Sequence, residues 1–181
     1  MNKVRKNKGF TRTPKFGVTL KGGGFTLIEI LVVIGIIAIL AAIVIIAINP
    51  ARQFAQARNS QRTANVNAIL NAIGQNLADN KGTFTCDEDG DGDNDPIPAA
   101  ATELGDGTYD IYDCVVPTYM PAIPFDPGNE NVALAADAHF TSEADYETGY
   151  TVELEDGRVV VCAPGGLESA ISGSAAVCVT R

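Results

Sequence analysis

Tryptophan is absent from the 181-residue chain, and histidine occurs once, at His139. Without tryptophan, and with only 5 Tyr and 7 Phe, the chain has no evident platform on which single-stranded nucleic acid would stack. One histidine with no nucleophile partner in sight makes no proton relay, so His139, between Ala138 and Phe140, is assigned to the surface or to packing. There are 4 cysteines but no Cys-x-x-Cys pair, a spacing unlike that of a zinc site. No Gly-rich phosphate loop follows a strand pattern, and no Asn-x-Ser/Thr acceptor occurs. These absences predict a protein that is not an enzyme and does not bind nucleic acid directly.

Charge is missing locally rather than globally. Residues 1–24 carry seven Lys/Arg and no acid; residues 25–48 carry only Glu29; residues 49–78 carry Arg52, Arg58 and Arg62 and no acid. Residues 79–181 hold 3 bases against 21 acids, so the net charge of −9 belongs to the C-terminal part, which repels nucleic acid. Residues 30–48, ILVVIGIIAILAAIVIIAI, form an apolar run of 19. At ~1.5 Å per residue that is about 28 Å, close to the hydrocarbon thickness of a bilayer. A buried core helix would show a polar stripe, and a secretory h-region is shorter. The run reads as a membrane span. Lys3, Arg5, Lys6, Lys8, Arg12, Lys15 and Lys21 precede it, which places the N-terminus in the cytoplasm and everything after Ile48 outside.

Two details on the cytoplasmic flank do not belong to an ordinary anchor. Gly22, Gly23 and Gly24 form a small-residue joint before Phe25, and Glu29 places a carboxylate close to the start of the apolar run, where an unpaired charge is costly. A cut between Gly24 and Phe25 would create an α-amino group, mostly protonated with a reference pKa near 7.7–8.0, at a depth shared with Glu29.

The stretch Lys21-Gly-Gly-Gly-Phe-Thr-Leu-Ile-Glu-Ile-Leu-Val-Val-Ile-Gly-Ile-Ile-Ala-Ile-Leu40 resembles the class III signal and N-terminal helix of type IV pilins and pseudopilins. A basic leader, Gly before the cut, an aromatic first residue, Glu at the fifth mature position and a long apolar run are all present. The resemblance covers residues 21–48 closely and the rest in layout. It implies cleavage after Gly24 and N-methylation of Phe25 by a membrane prepilin peptidase. It also implies that Glu29 neutralises the Phe25 amine of a neighbouring subunit as the helix leaves the bilayer for a filament core. An assembly ATPase and a platform protein are the further partners it implies. Without residues 1–24 the chain keeps 6 bases and 22 acids, a net charge of −16 on a body with an apolar tail.

Asn49 is a good helix cap and Pro50 a good first helical residue, so the helix kinks or restarts there. Val66, Ile69, Leu70, Ile73 and Leu77 then make one apolar stripe on a polar helix running to about Ala78, positioned to cover the sheet of a head domain. Tyr109–Val116 is β-prone, Tyr150–Glu155 and Arg158–Ala163 flank the hairpin signal Asp156-Gly157, and Ala176–Thr180 supplies another strand. The three prolines of Met120–Gly128 exclude a central strand, and that segment resembles the Pro-Asp-Pro turn of pseudopilins and several pilins.

Cys86, Cys114, Cys162 and Cys178 lie outside the membrane, where disulfides form. They allow three pairings, of which Cys86–Cys114 and Cys162–Cys178 close the shortest loops. In pilins the C-terminal pair commonly bounds an exposed loop; by resemblance Ala163–Val177 is that loop, and its Gly and Ser residues make it adaptable. Residues 87–95 read DEDGDGDND. Asp87, Asp89 and Asp91 followed by Gly92 match positions one, three, five and six of an EF-hand calcium loop, with Asp93 and Asp95 beyond; position twelve is Pro98 where a bidentate Glu is expected. Calcium is therefore the one candidate cofactor.

The expected architecture is α+β, a long N-terminal hydrophobic helix packed on a small antiparallel β-sheet head of three or four strands, the type IV pilin-like fold. Its parts are a leader (1–24), a transmembrane and filament-core helix (25–48), an amphipathic helix (49–80) and a disulfide-bonded acidic head (81–181). The expected function is a structural pilus subunit that polymerises with itself, a single-pass membrane precursor that ends in an extracellular filament for adhesion, motility or DNA uptake. The alternatives are a major pseudopilin of a type II secretion system and a membrane-anchored calcium-binding adhesion module that does not polymerise.

Overall fold

The structure is a computed structural model that describes residues 24–87 and 93–181. It divides into two units, residues 1–47 and 48–181. In the first, α1 spans Leu27–Ala47; past Glu29 in its first turn it is apolar on every face, and residues 27–45 are uncovered. It is the one described helix long and apolar enough to cross a membrane. An all-round apolar helix has no preferred side to bury in water and requires an apolar surround.

The second unit opens with α2, Pro50–Asp79. The chain breaks helix between α1 and α2: the Asn49 side chain accepts from the Arg52 amide, and Pro50 takes the first turn, where no amide donor is needed. At the far end the backbone N–H of Asn80 closes on the Asn76 carbonyl, and Lys81 and Gly82 turn the chain with φ of 59° and 91°.

Five strands form one antiparallel sheet: β1 (Thr102–Gly105), β2 (His139–Ser142), β3 (Asp145–Glu155), β4 (Arg158–Ala163) and β5 (Val177–Thr180). The spatial order is β1-β3-β4-β5, with β2 also paired to β3. The β3–β4 hairpin turns on Asp156 and Gly157 at φ of 49° and 75°, both positive, as a two-residue turn matched to strand twist requires. Along β3 the residues Thr148, Tyr150 and Val152 point inward, and β4 adds Val159, Val161 and Ala163. The stripe Val66, Ile69, Leu70 and Ile73 of α2 closes this face, with Leu77 half-buried at its edge. Phe84, Leu104, Tyr109, Ile111 and Val115 complete the core.

Three expectations need correction. The segment Tyr109–Val116 is not a strand: the Tyr112 amide bonds the Asp110 carboxylate and the chain turns into a short helix, α3 (Tyr112–Val115). A helical turn lets Ile111 and Val115 enter the core while Asp113 between them stays exposed; strand alternation would put all three on one face. The sheet has five strands, because the short β1 and β2 both pair with the long β3. The third concerns the C-terminal loop and is described below. Another short helix, α4 (Ala133–Ala136), follows the proline-rich segment, which contains no strand.

Candidate functional site

At the N-terminal end, Phe25 is exposed and Thr26 occupies the residue before α1. The Thr26 amide and hydroxyl both donate to Glu29 Oε2, each at 2.7 Å, and the Glu29 amide donates back to Thr26 Oγ1 at 3.3 Å. This is a reciprocal capping box, built by the Thr-x-x-Glu spacing. In the single chain, Glu29 thus satisfies its own helix end and its carboxylate stays on the surface of the tip. An incoming amine would compete with neutral donors, not with another charge. Residues 1–23 of the 1–24 leader lie outside the described residues.

A second constellation lies where α2 meets two loops. Arg62 is fully buried. Its Nε and Nη2 donate to the two oxygens of Asp126 at 2.7 and 2.8 Å, and its Nη1 donates to Glu168 Oε1 at 2.5 Å. Nη2 also reaches the Gly128 carbonyl and Nη1 the Asn59 side chain. Arg58 grips Glu168 from outside through Nε at 2.7 Å and Nη2 at 2.5 Å. Two guanidinium groups therefore face two carboxylates, and the charges cancel inside the head. Hydrogen bonds from Arg58 hold the Glu168 carboxyl below the usual carboxylate range, against the opposing effect of its burial. Burial alone would weaken the Arg62 charge, but the two carboxylates hold its pKa above the ordinary guanidinium value.

Gly165 is needed beside this cluster. A Cβ there would stand 2.7 Å from Asp126 Oδ2, 2.8 Å from Ala135 Cβ and 2.9 Å from Arg62 Nε. The loop Ala163–Val177 is accordingly not simply adaptable: Glu168 is buried within it, and Asn129 Nδ2 donates to the carbonyls of Gly165 and Leu167. Composition hid this, because one acid among glycines and serines looks solvated. The signal that was present is Arg62, which stands four residues before Val66 on the apolar stripe of α2 and there requires a buried anion.

The head is also tied at its other end. Disulfides join Cys86 to Cys114 and Cys162 to Cys178. Buried Asn76 of α2 donates to the carbonyls of Thr85 and Cys114 and accepts from the Thr85 amide at 2.9 Å, fastening the first bridge to the helix. The loop after Cys86 is closed by Asn94, whose side chain accepts from the Cys86 amide and donates to the Phe84 carbonyl. Of the five aspartates considered for calcium, Asp89 and Asp91 lie outside the described residues; Asp87, Asp93 and Asp95 are placed at the loop's two ends. Among the described residues no three His, Cys, Asp or Glu side chains come together as a metal cradle.

His139 begins β2, with Nδ1 against the Asp137 carbonyl and Nε2 3.1 Å from Asp145 Oδ1. These partners raise its pKa above the ordinary histidine value, the Asp137 carbonyl foremost. Burial, reinforced by nearby Glu147, pushes the Glu103 carboxyl up to about 7. The Asp145 carboxylate that meets His139 also accepts from the Thr141 hydroxyl.

Residues 21–45 match the family described as the prokaryotic N-terminal methylation motif. That motif is the class III signal, and it is consistent with a type IV pilin or pseudopilin. The matched segment takes in Gly24, Phe25 and Glu29 and ends within α1, so it coincides with the capping box and the exposed apolar helix. No curated protein and no solved structure matches the chain. The α+β architecture, an N-terminal apolar helix with an antiparallel sheet packed on a second helix, is consistent with the pilin-like fold. The Arg62–Asp126–Glu168 cluster lies beyond the matched segment.

Proposed function

We propose that the protein is a type IV pilin, a structural subunit cut after Gly24 by a prepilin peptidase, methylated on Phe25 and held in the cytoplasmic membrane through residues 25–48. An assembly ATPase and a platform protein then draw it into a homopolymeric extracellular filament that serves adhesion, motility or DNA uptake. The observation that carries this reading is the coincidence of the matched motif with an α1 that is apolar on every face past Glu29 and uncovered over residues 27–45. Such a helix is stable in a bilayer or in a bundle of its own kind, and poorly soluble anywhere else. Glu29 at its tip supplies the carboxylate that the Phe25 amine of a neighbour would neutralise. Glu29→Ala tests the step: normal membrane levels with loss of sheared filaments support polymerisation, whereas unchanged surface function would favour the anchored adhesion module.

A major pseudopilin of a type II secretion system is the second reading, favoured by Pro124-Phe125-Asp126-Pro127, which resembles the Pro-Asp-Pro turn of pseudopilins. It predicts that the processed protein stays with the membrane and that secretion of other proteins fails without it. Calcium at the 87–95 loop is a further part of the proposal, supported by the Asp87/Asp89/Asp91 spacing alone.

A further inference from the structure

We propose that the first turns of α2 dock a second copy of this chain, with Phe54 as the apolar anchor and Arg52 as the cation that meets the acidic head of that copy. The inference rests on the filament reading and names a surface beyond the N-terminal helix that the reading requires.

From Pro50 to Gln61, α2 buries only Ala55, with Arg58 and Asn59 half-buried; the remainder faces solvent. Phe54 is 66% exposed on this otherwise polar stretch. It stands at an open groove of about 850 Å³ whose helix wall is Ala51, Phe54 and Arg58 and whose opposite wall includes Asn129, Glu130, Glu168, Ser169 and Ala170. A large aromatic ring left beside a groove is the residue type that anchors protein contacts.

Charge decides the occupant. Of the three arginines of residues 49–78, Arg62 is consumed by Asp126 and Glu168, and Arg58 by the second oxygen of Glu168. Arg52 is exposed, and among the described residues no ion pair engages its side chain. Residues 79–181 of every copy hold 21 acids against 3 bases. Two heads brought face to face repel, whereas a head brought to the Arg52 end of another copy is attracted. The complementary surfaces are different parts of the same chain, so the contact is head-to-tail. Such a contact propagates into a ring or helix rather than closing as a symmetric pair.

The test places the photocrosslinker benzoylphenylalanine at position 54 of the full-length protein in producing cells, irradiates, and recovers the sheared filaments. Exposure of Phe54 makes the replacement compatible with the fold. The expected product is a dimer-sized band confined to filaments, with the crosslink mapped by mass spectrometry to residues 79–181 of the second copy. Arg52→Glu should lower its yield tenfold or more, and Arg52→Lys should retain it within about twofold. Filaments that form without this crosslink, that crosslink from position 54 only to lipid, or that give the same yield with Arg52→Glu would overturn the docking surface and leave the filament reading standing. Absence of filaments from the unaltered protein would overturn both.

Discussion

Removing the guanidinium of Arg62 while keeping its bulk, as in Arg62→Met, isolates the worth of the buried cluster. Arg62 has no solvent exposure and makes five hydrogen bonds, two of them to Asp126, which is itself 2% exposed. In the variant, Glu168 keeps Arg58, but Asp126 retains only the amide of Gly128, at 2.9 Å, to balance its charge. Breaking a buried pair by removing one partner costs about 3–5 kcal/mol, since the remaining ion is left desolvated. Against the roughly 5–15 kcal/mol that a domain has in total, that is a large fraction. Each kilocalorie lowers the melting temperature of a unit this size by about 3–5 °C, so the melt should fall by roughly 10–20 °C. Thermal denaturation of the full chain in detergent micelles, followed by circular dichroism, reads the shift for the head. Glu168→Gln should cost less, about 1–3 kcal/mol, because an amide can still accept from Arg58. The combined variant Arg62→Met with Asp126→Leu should recover part of the loss, since no unpaired ion remains. A drop of less than about 3 °C for Arg62→Met would show that the cluster is not a closed, desolvated clasp.

Four further outcomes can be measured, the last resting on the sequence of the 87–95 loop. Stability should fall in acid as Glu168 takes up a proton: its contribution is present above the ordinary glutamate pKa near 4.3 and is lost as pH drops through the lower native value. Glu103 acts in the opposite sense, because the native carboxyl holds its proton up to about 7 while the unfolded one releases it near 4.3. Stability therefore declines from about pH 4.3 to 7, and Glu103→Gln should flatten that slope and add about 1 kcal/mol at pH 8, the partial exposure of the site moderating the gain. Denaturant midpoints between pH 3 and 8 check both signs. Gly165→Ala should lower the melting temperature by several degrees, since the added methyl meets Asp126, Ala135 and Arg62 at under 3 Å; an unchanged melt would mean that the loop shifts freely. Millimolar calcium should raise the melting temperature if the 87–95 loop binds it, and Asp89→Ala should abolish the rise; no shift would retire the calcium reading.

What the sequence displayed, and what it hid, follows from how local each signal is. The β3–β4 hairpin was legible because Asp156-Gly157 meets the positive φ at both turn positions within two residues. The α2 stripe was legible because Val66, Ile69, Leu70 and Ile73 repeat with the helix period over enough turns to exclude a strand. Strands β1 and β2 carry no such signal. Each is four residues long and becomes a strand only by pairing with β3, a partner more than 40 residues away for the Thr102–Val152 pair but close for His139–Glu147. Tyr109–Val116 misled because β-prone side chains were present, while the Asp110 side chain that diverts the chain into α3 works through one hydrogen bond.

The N-terminal motif was visible in residue types alone, as Gly24, Phe25 and Glu29 before an unbroken apolar run. Its partner Thr26 is marked by a sequence pattern too, the Thr-x-x-Glu spacing that makes the capping box. The Arg62 clasp was hidden for a different reason. It joins residues 62, 126 and 168 from three separate segments, and only the fold brings them within 2.5–2.8 Å. An arginine on an apolar stripe announced that an anion must exist, without saying which.

Processing and polymerisation are both read from the N-terminal peptide. Cells producing the protein are sheared, and the N-terminus is identified by mass spectrometry in the sheared material and in the membranes. The expected result is N-methylated Phe25 as the first residue, abundant in the sheared filaments. Methylated Phe25 confined to the membranes would move the assignment to a pseudopilin, and an intact Met1 leader in every fraction would contradict the account.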